Sequence, residues 1–394
     1  MGREVWIAAV AIGWGCSVLD PSLIANESGR DAGRDAGADT GPGVDADVSD
    51  LRKVPLRPTS ADGADVAPLT IALRDVVLNQ GGERWRTIGL DLDDVDTQNP
   101  VPEVRCEPPN VEAEAQLDGE AGIDNAFGDK LFPIVQLALP ELESESRRNQ
   151  GEGLGALVLR MTGWNGTGND PRVDILLTQS AAATSADPET VRFEGFELMQ
   201  GDVPAPAPLW DGNDHFFARD ESFFMGDETQ PTVRDDNAYI SDGTVVMRLP
   251  DRIDILFFAG PNAGVRVRLT DAFAFGVFNE DFTRLEPAVV AGRWAILDLL
   301  ETGNNIGVCV GTSQRRIIEN QLDTIADVRS RAGTGGPGVS CDAISLGVEF
   351  TGVVGQWAGL GPSRSLPDPC ADTGDAGVDA AVDAGVDAGV DAGI

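Results

Sequence analysis

Two stretches of low-complexity sequence, one near each end of the chain, restrict folding to the residues between them. Residues 17–66 include GRDAGRDAGADTGPGVDADVSD, and residues 368–394 repeat Asp-Ala-Gly-Val with a period of four. Such segments hold too few large apolar side chains to offset the entropy lost on ordering, and aspartates four positions apart repel one another on a helix. We therefore predict a disordered tether, a disordered acidic tail, and a folded region at residues 67–367.

The folded region is predicted to be mainly β. Short runs rich in Val, Ile, Leu and Phe, several with period-two alternation, are bounded by Gly, Pro, Asn or Asp. These runs occupy residues 69–78, 155–164, 172–179, 243–250, 252–259 and 265–278. Many short strands with frequent turn signals favour a β-sandwich-like domain.

One or two short helices and one internal boundary are also predicted. Residues 292–301 place Trp294, Leu297 and Leu300 at helical spacing, and residues 312–333 carry an apolar stripe between a candidate N-cap at Ser313 and Gly333. The proline-rich run at 202–212 is the best candidate for a boundary. One large domain is favoured, with two packed subdomains as the alternative.

Residues 1–16 have the form of an export signal. Arg3 precedes the apolar stretch VWIAAVAIGWG, which is too short to span a bilayer but has the length of a signal-peptide core. The small residue Gly15 and then Cys16 follow, and this arrangement resembles a bacterial lipoprotein signal, in which the cysteine is acylated. We expect lipidation at Cys16 and a location in the cell envelope, on the outer membrane facing outward. Plain secretion is the alternative.

Charge excludes several functional classes. The chain carries 65 acidic and 29 basic side chains, a formal net charge of −36, so it does not bind nucleic acid by neutralising phosphates. Its one histidine argues against a histidine triad or a multi-histidine metal site.

Four cysteines remain once Cys16 is set aside, and an even number in an oxidising compartment suggests two disulfides. Three pairings are open. Cys309 and Cys341 bracket the longer predicted helix, so we predict that they pair, and that Cys106 pairs with Cys370.

Clustered carboxylates form the first candidate site. Calcium takes six to eight oxygen ligands, usually from Asp- and Asn-rich loops. The spacing is not that of an EF-hand loop, and the two acidic segments would converge if the chain reverses near Cys106, which lies between them. A structural calcium ion is therefore one interpretation, and solvated turn residues are the other. The candidate ligands are Asp91, Asp93, Asp94, Asp96, Asp118, Asp124 and Asn125.

The second candidate site lies in PLWDGNDHFFARDESFF at residues 208–224. Trp210, Asp211 and His215 could form a ligand-binding platform for a sugar, since aromatic rings there stand beside carboxylates and amides. The alternative is that the aromatic residues anchor a loop and the histidine is a packed or surface residue.

A set of segments resembles a group of large predicted lipoproteins from myxobacterial genomes, over most of residues 69–350. The segments are GLDLDDVDT, DGEAGIDNAFG, GWNGTGNDPRVDI, LWDGNDHF, DNAYISDGTVVMRLP and CDAISLGVEF. The resemblance implies no activity and no catalytic residue.

We therefore expect a lipid-anchored binding or structural protein at the cell surface, with a glycan or another envelope component as its partner. No cofactor is expected other than the calcium ion. The alternative is a carbohydrate-active hydrolase on a β-sandwich scaffold, because paired carboxylates can meet in space without a sequence signature.

Overall fold

The structure, a computed structural model, describes residues 52–60, 63–97, 106–110, 116–260, 263–366 and 368–370. The described residues from Arg52 onward belong to one compact unit. The predicted signal peptide, Cys16, most of the tether and nearly all of the acidic tail lie outside the described residues.

The fold is mainly β, as predicted. Its strands are β1 Leu69–Val77, β2 Leu157–Thr162, β3 Asp170–Thr184, β4 Val191–Glu194, β5 Glu197–Gln200, β6 Val203–Pro204, β7 His215–Arg219, β8 Arg234–Ser241, β9 Thr244–Arg248, β10 Ile253–Gly260, β11 Ala263–Phe278, β12 Arg284–Ala295 and β13 Ala343–Gly361. The helices are α1 Phe132–Ala138, α2 Leu142–Gly151, α3 Ile296–Asn304 and α4 Ser313–Ile325, with a π-helical turn at Phe127–Leu131 before α1. Short 3-10 turns lie at Arg84–Thr87, Glu120–Gly122, Pro188–Thr190, Asp220–Ser222 and Phe224–Gly226.

Eight of the described strands close into a barrel, in the order β1, β2, β3, β8, β9, β11, β12, β13 and back to β1. Every neighbouring pair in this ring is antiparallel. The predicted sandwich of two separate sheets is therefore not what these strands form. Alternation of apolar and polar residues predicts which face of a strand is buried, but it carries no information on whether the sheet closes.

Two strands extend the barrel at one end. β7 pairs antiparallel with the last part of β3 and parallel with the last part of β13, and β10 pairs with β11. The side chain of Gln179 links β3 to β10, since its amide nitrogen donates to Leu256 O at 2.9 Å and its oxygen accepts from Leu256 N at 2.9 Å. β4, β5 and β6 form a small separate sheet.

The main apolar core is formed by buried side chains of the barrel strands and of the helices that cover them, and Phe132, Phe350, Ile71 and Ile240 are among the largest. Helix α2 also buries polar side chains, which bind strand backbone. Ser146 Oγ donates to Phe258 O at 3.1 Å, and Gln150 Oε1 accepts from Val76 N at 3.1 Å. These bonds satisfy buried backbone groups at strand ends.

The two predicted helices are present with different limits. Trp294 lies in β12, so the first helix starts only at Ile296. The second helix is capped by Thr312, whose side chain accepts from Arg315 N at 3.2 Å, and it ends at Ile325 instead of Gly333. It ends early because Val328 forms a β-bridge with Ala343, which requires extended backbone.

The folded part extends beyond both predicted limits. Arg57, in the predicted tether, donates to Asn237 O and to Pro171 O, each at 2.6 Å. At the other end, Cys370 forms a disulfide. The proline-rich run at 202–212 returns the chain to β7, which pairs with β3, so both sides of this run lie in one compact unit.

The two disulfides join Cys106 to Cys341 and Cys309 to Cys370, with Cα atoms 5.2 Å and 5.3 Å apart. The predicted pairing is therefore wrong. Glu107 explains the difference, because it forms a parallel β-bridge with Ser340 and accepts from Cys341 N at 2.7 Å. That bridge places Cys106 beside Cys341. Cys309 and Cys341 lie on either side of helix α4 in the chain, but this arrangement does not bring them together.

Candidate functional site

The two acidic segments meet in space. Leu90 and Asp124 form an antiparallel bridge, and Asp124 N donates to Leu90 O at 3.0 Å. Further along, Thr97 N donates to Asp118 Oδ2 at 2.8 Å and Asp118 N donates to Thr97 Oγ1 at 2.7 Å. The structure therefore brings together the two acidic segments, which lie on either side of Cys106 in the chain.

Three of the converged carboxylates can share one ligand. Asp91, Asp93 and Asp124 each offer an oxygen, and these oxygens lie within 4.8 Å of one another. We call these residues the aspartate triad. Asp124 is 3% exposed, and its Oδ2 accepts from the backbone nitrogens of Leu92 at 2.6 Å and Asp93 at 3.3 Å. These backbone bonds fix the orientation of the carboxylate before any ligand arrives.

Asp91 contributes a buried oxygen that accepts no hydrogen bond from any described residue. Its side chain is fully buried, and its Oδ1 accepts from Asp94 N at 2.7 Å. Its Oδ2 accepts no hydrogen bond within the described chain, and Lys53 Nζ lies 3.7 Å from it. A buried carboxylate oxygen without a hydrogen bond is costly, so a cation at this point would stabilise it.

A cavity of about 20 Å³ adjoins the triad. Asp93, Asp118, Asp124 and Asp327 line it together with the Cys106–Cys341 disulfide. That volume holds about one water molecule or ion. A sugar ring does not fit, so the cavity suits an ion better than it suits glycoside cleavage.

The cluster has an unusual protonation state. Burial, and then the neighbouring carboxylate of Asp91, raises the pKa of Asp93 to about 7. Burial likewise raises the pKa of Asp118 to about 7 and those of Asp91 and Asp327 to about 6. Burial and the charge of Asp93 raise the pKa of Asp124 well above its usual value. At neutral pH the cluster therefore either retains protons or needs a cation.

Arg293 supplies part of the missing positive charge. This arginine is buried; it donates to Leu92 O and, at 2.8 Å, to Arg329 O. Its charge lowers the pKa of Asp93 and Asp327 without cancelling the effect of burial. Together with Lys53, which lies beside Asp91, this guanidinium supplies two positive charges, and these do not balance five clustered carboxylates.

Asp327 is the member of the cluster that sequence reasoning missed. Its carboxylate accepts from Ser345 N at 2.8 Å and from Ser345 Oγ, which orients it. It follows helix α4, far along the chain from the two acidic segments, and no local pattern distinguishes it. Only the pairing of the strands brings it to the cavity.

Three of the predicted metal ligands lie outside the triad and the cavity lining. Asp94 is exposed and forms an ion pair with Lys53, and Asp96 is half-buried. Asn125 is buried, and its side-chain oxygen accepts from Gly128 N and from Gly347 N, each at 3.1 Å. Because both lone pairs of that oxygen are engaged, Asn125 holds the backbone together and is left out of the ligand set.

Trp210 anchors its loop. Its indole nitrogen donates to Gly151 O at 2.9 Å, its ring lies 5.3 Å from that of Phe216, and the guanidinium of Arg74 lies 4.8 Å above it. Asp214 accepts from the backbone nitrogens of Leu209, at 2.7 Å, and Trp210. These contacts match the loop-anchor interpretation of this tryptophan.

Asp211 and His215 occupy different environments from Trp210. Asp211 accepts from Asn213 N at 3.0 Å within an exposed turn. His215 is half-buried at the start of β7, paired with Thr184 and Gln356. None of Trp210, Asp211 and His215 lines the cavities of about 400 Å³ and 430 Å³ found among the described residues.

Comparison of the chain with known protein families, curated proteins and solved structures finds no match. Among the described residues, no helix has both the length and the apolar character needed to cross a membrane.

Proposed function

We propose that the protein is an exported binding or structural protein of the cell envelope, lipid-anchored at Cys16, in which one calcium ion bound by the aspartate triad stiffens the acidic segments. The observation that carries the calcium site is the convergence of three carboxylates beside a cavity large enough for about one ion. The buried Asp91 Oδ2 accepts no hydrogen bond from the residues described and has one cationic group, Lys53 Nζ, at 3.7 Å, which leaves it able to accept a metal ion.

The chemistry of the cluster favours calcium. The three donors of the aspartate triad are carboxylate oxygens, which calcium prefers, and calcium accepts irregular geometry with water completing its shell. Magnesium requires near-ideal octahedral geometry and gives up its water reluctantly, so it should bind more weakly. A divalent cation would also remove the repulsion that raises the carboxylate pKa values.

Two disulfides support export. Disulfides form and persist in oxidising compartments and are rare in reducing ones. Both bonds lie in the folded part of the chain, and one of them lines the cavity beside the triad. A calcium ion and a disulfide would therefore stiffen the same region, which suits a protein that works outside the cytoplasm.

Calcium binding is tested by calorimetry and thermal unfolding of the full chain, first with chelator and then with millimolar calcium. We expect one calcium per chain and a higher melting temperature, because a ligand that binds only the folded state stabilises it by mass action. Asp93→Asn combined with Asp91→Asn should abolish both effects. Asp202→Asn combined with Asp281→Asn, which removes two exposed carboxylates, is the matched control. Identical melting curves with calcium and with chelator in the unmutated protein would show that the site does not bind calcium.

Anchoring is tested separately by fractionation of cells that express the full chain. Cys16→Ala should move the protein from the membrane fraction to the soluble fraction, because the acyl chains hold it on the membrane. Ser22→Ala, a neighbouring change that leaves the cysteine in place, should remain in the membrane fraction. A Cys16→Ala protein that still sediments with membranes after a salt wash contradicts the anchor.

A further inference from the structure

A second cavity, of about 400 Å³, lies where β3, β7, β10 and β11 meet. Its apolar wall includes Leu157, Leu177 and Ile255, all buried. Its volume is within the range of small-molecule sites, which combine apolar walls with a few polar groups. It shares no lining residue with the cavity beside the aspartate triad.

Three arginines line this cavity, although the chain as a whole is strongly acidic. Arg219, at the end of β7, has a side chain that is only 4% exposed; it pairs with Glu221 and donates to Arg364 O at 2.9 Å. Its Nε has no hydrogen-bond partner within the described chain. Burial, and to a smaller extent the charge of Arg266, lowers the pKa of Arg219.

Of the three arginines, Arg266 on β11 has the weakest ion pair with a described carboxylate. No hydrogen bond from its guanidinium to a described residue is present, and its closest carboxylate oxygen is Asp254 Oδ2, 3.8 Å from Nη1. Arg252 is more exposed and pairs with Asp298, a residue outside the cavity lining. Arg266 therefore offers the donors with which an incoming anion could pair.

The charges that line the cavity set the charge of its ligand. Glu221 pairs with Arg219, and Asp298 pairs with Arg252. Asp254 accepts hydrogen bonds from Arg268 at 2.6 Å and 3.1 Å. Among the lining arginines, Arg266 is therefore the one whose positive charge has no close counter-ion in the described chain. A single carboxylate on the ligand balances that charge, whereas a phosphate group, with a charge near −2 at neutral pH, exceeds it. Guanidinium groups bind carboxylates through paired, charge-assisted hydrogen bonds.

We propose that this cavity binds a small organic molecule with one carboxylate group, held by Arg266 and Arg219, with its apolar part against the wall formed by Leu157, Leu177 and Ile255. The site is separate from the aspartate triad and requires neither calcium nor the lipid anchor. It gives the protein a small-molecule ligand beyond the envelope role proposed above.

The test measures binding of sodium benzoate, a carboxylate with an apolar ring, to the full chain by calorimetry in the presence of chelator. The neutral methyl ester of benzoate and inorganic phosphate are measured in parallel. We expect saturable one-to-one binding of benzoate, with the ester and phosphate at least tenfold weaker. Arg266→Gln should weaken benzoate binding by roughly tenfold or more, because a charge-assisted pair is lost.

Two further variants keep the result interpretable. Arg219→Met should also weaken binding, but because Arg219 is buried its thermal unfolding is recorded alongside. Arg192→Gln removes an exposed arginine paired with Glu194 on the small sheet and should leave binding unchanged. Equal binding of benzoate and its ester, absence of benzoate binding, or unchanged affinity in Arg266→Gln would each overturn the proposal. Because chelator is present throughout, these outcomes are independent of the calcium site.

Discussion

In calcium-free buffer, raising the pH from about 5 to about 8 should destabilise the fold. The carboxyl groups of the acidic cluster have raised pKa values in the folded protein, so over this interval the folded chain binds more protons than the unfolded chain. Stability falls with pH wherever the folded state binds more protons. The stabilising effect of protonation is complete below the pKa of the unfolded chain and is lost as the pH passes through about 6 to 7.

Asp118 sets the scale of the effect. It is 5% exposed, and its pKa is about 7 against about 3.9 in an unfolded chain. At about 1.4 kcal/mol per pKa unit, this carboxyl alone contributes about 3 kcal/mol between about pH 5 and about pH 8, since only about two pH units of this interval lie below its folded pKa. The carboxyls of the cluster influence one another, so their contributions do not add in full. We expect a total loss of about 3–4 kcal/mol, a large part of the stability of an ordinary domain.

Urea unfolding followed by tryptophan fluorescence, with the disulfides intact, measures this loss at several pH values. Asp93→Asn combined with Asp118→Asn should flatten the pH dependence, because an amide does not ionise. Asp202→Asn combined with Asp281→Asn should leave the slope unchanged, which separates the cluster from the general repulsion of an acidic protein. At about pH 8, calcium should restore most of the lost stability. A flat profile in chelator, or the same slope in the cluster variant as in the control, would refute the reasoning.

Three further predictions concern the stability of the folded chain. Replacing Cys106 and Cys341 by serine should lower the free energy of unfolding by about 5 kcal/mol, and replacing Cys309 and Cys370 should lower it by about 4 kcal/mol, both measured by chemical unfolding. The first bond matters more because, in the chain-entropy account, a loop of 235 residues restricts the unfolded chain more than a loop of 61. Trp210→Ala should cost about 3 kcal/mol in the same assay and leave benzoate binding unchanged, since its ring anchors a loop and does not line the cavity. Gly347→Ala should cost about 1–3 kcal/mol because its Cβ would lie 2.4 Å from Ile88 O, whereas Gly336→Ala, with its nearest neighbour at 3.9 Å, should be nearly neutral; equal melting temperatures would contradict this.

Local patterns predicted the strands that have one buried face. In β11, Val265, Val267 and Leu269 are buried while Arg266 and Arg268 between them are partly exposed, so the alternation in the sequence is the alternation in the barrel. The full length of β13 was not predictable in this way, because its glycines resemble turn signals. In the structure Gly347 and Gly355 are positions where another chain segment or an aromatic ring approaches too closely for a side chain.

The candidate calcium site likewise has a part that local sequence patterns predicted and a part that they did not. The convergence of Asp93 and Asp124 followed from two acidic segments close together in the chain, with room for a reversal between them. Asp327 and the partner of Cys106 depend on pairing between distant strands, which the sequence near them does not specify. Burial, which gives the carboxyls their raised pKa values, likewise depends on the whole packing.

The pairing between the first and last strands of the barrel affects how the chain folds while it is being synthesised. β1 is synthesised early, but one of its two edges waits for β13, which ends at Gly361. Until then β1 has an unpaired edge, and open edges recruit strands from other chains. A chain stopped before Ala343 would leave β12 unpaired as well, so a premature stop should yield aggregates rather than a smaller soluble fold. Closure of the barrel therefore requires complete synthesis through β13, because this strand pairs with both β1 and β12.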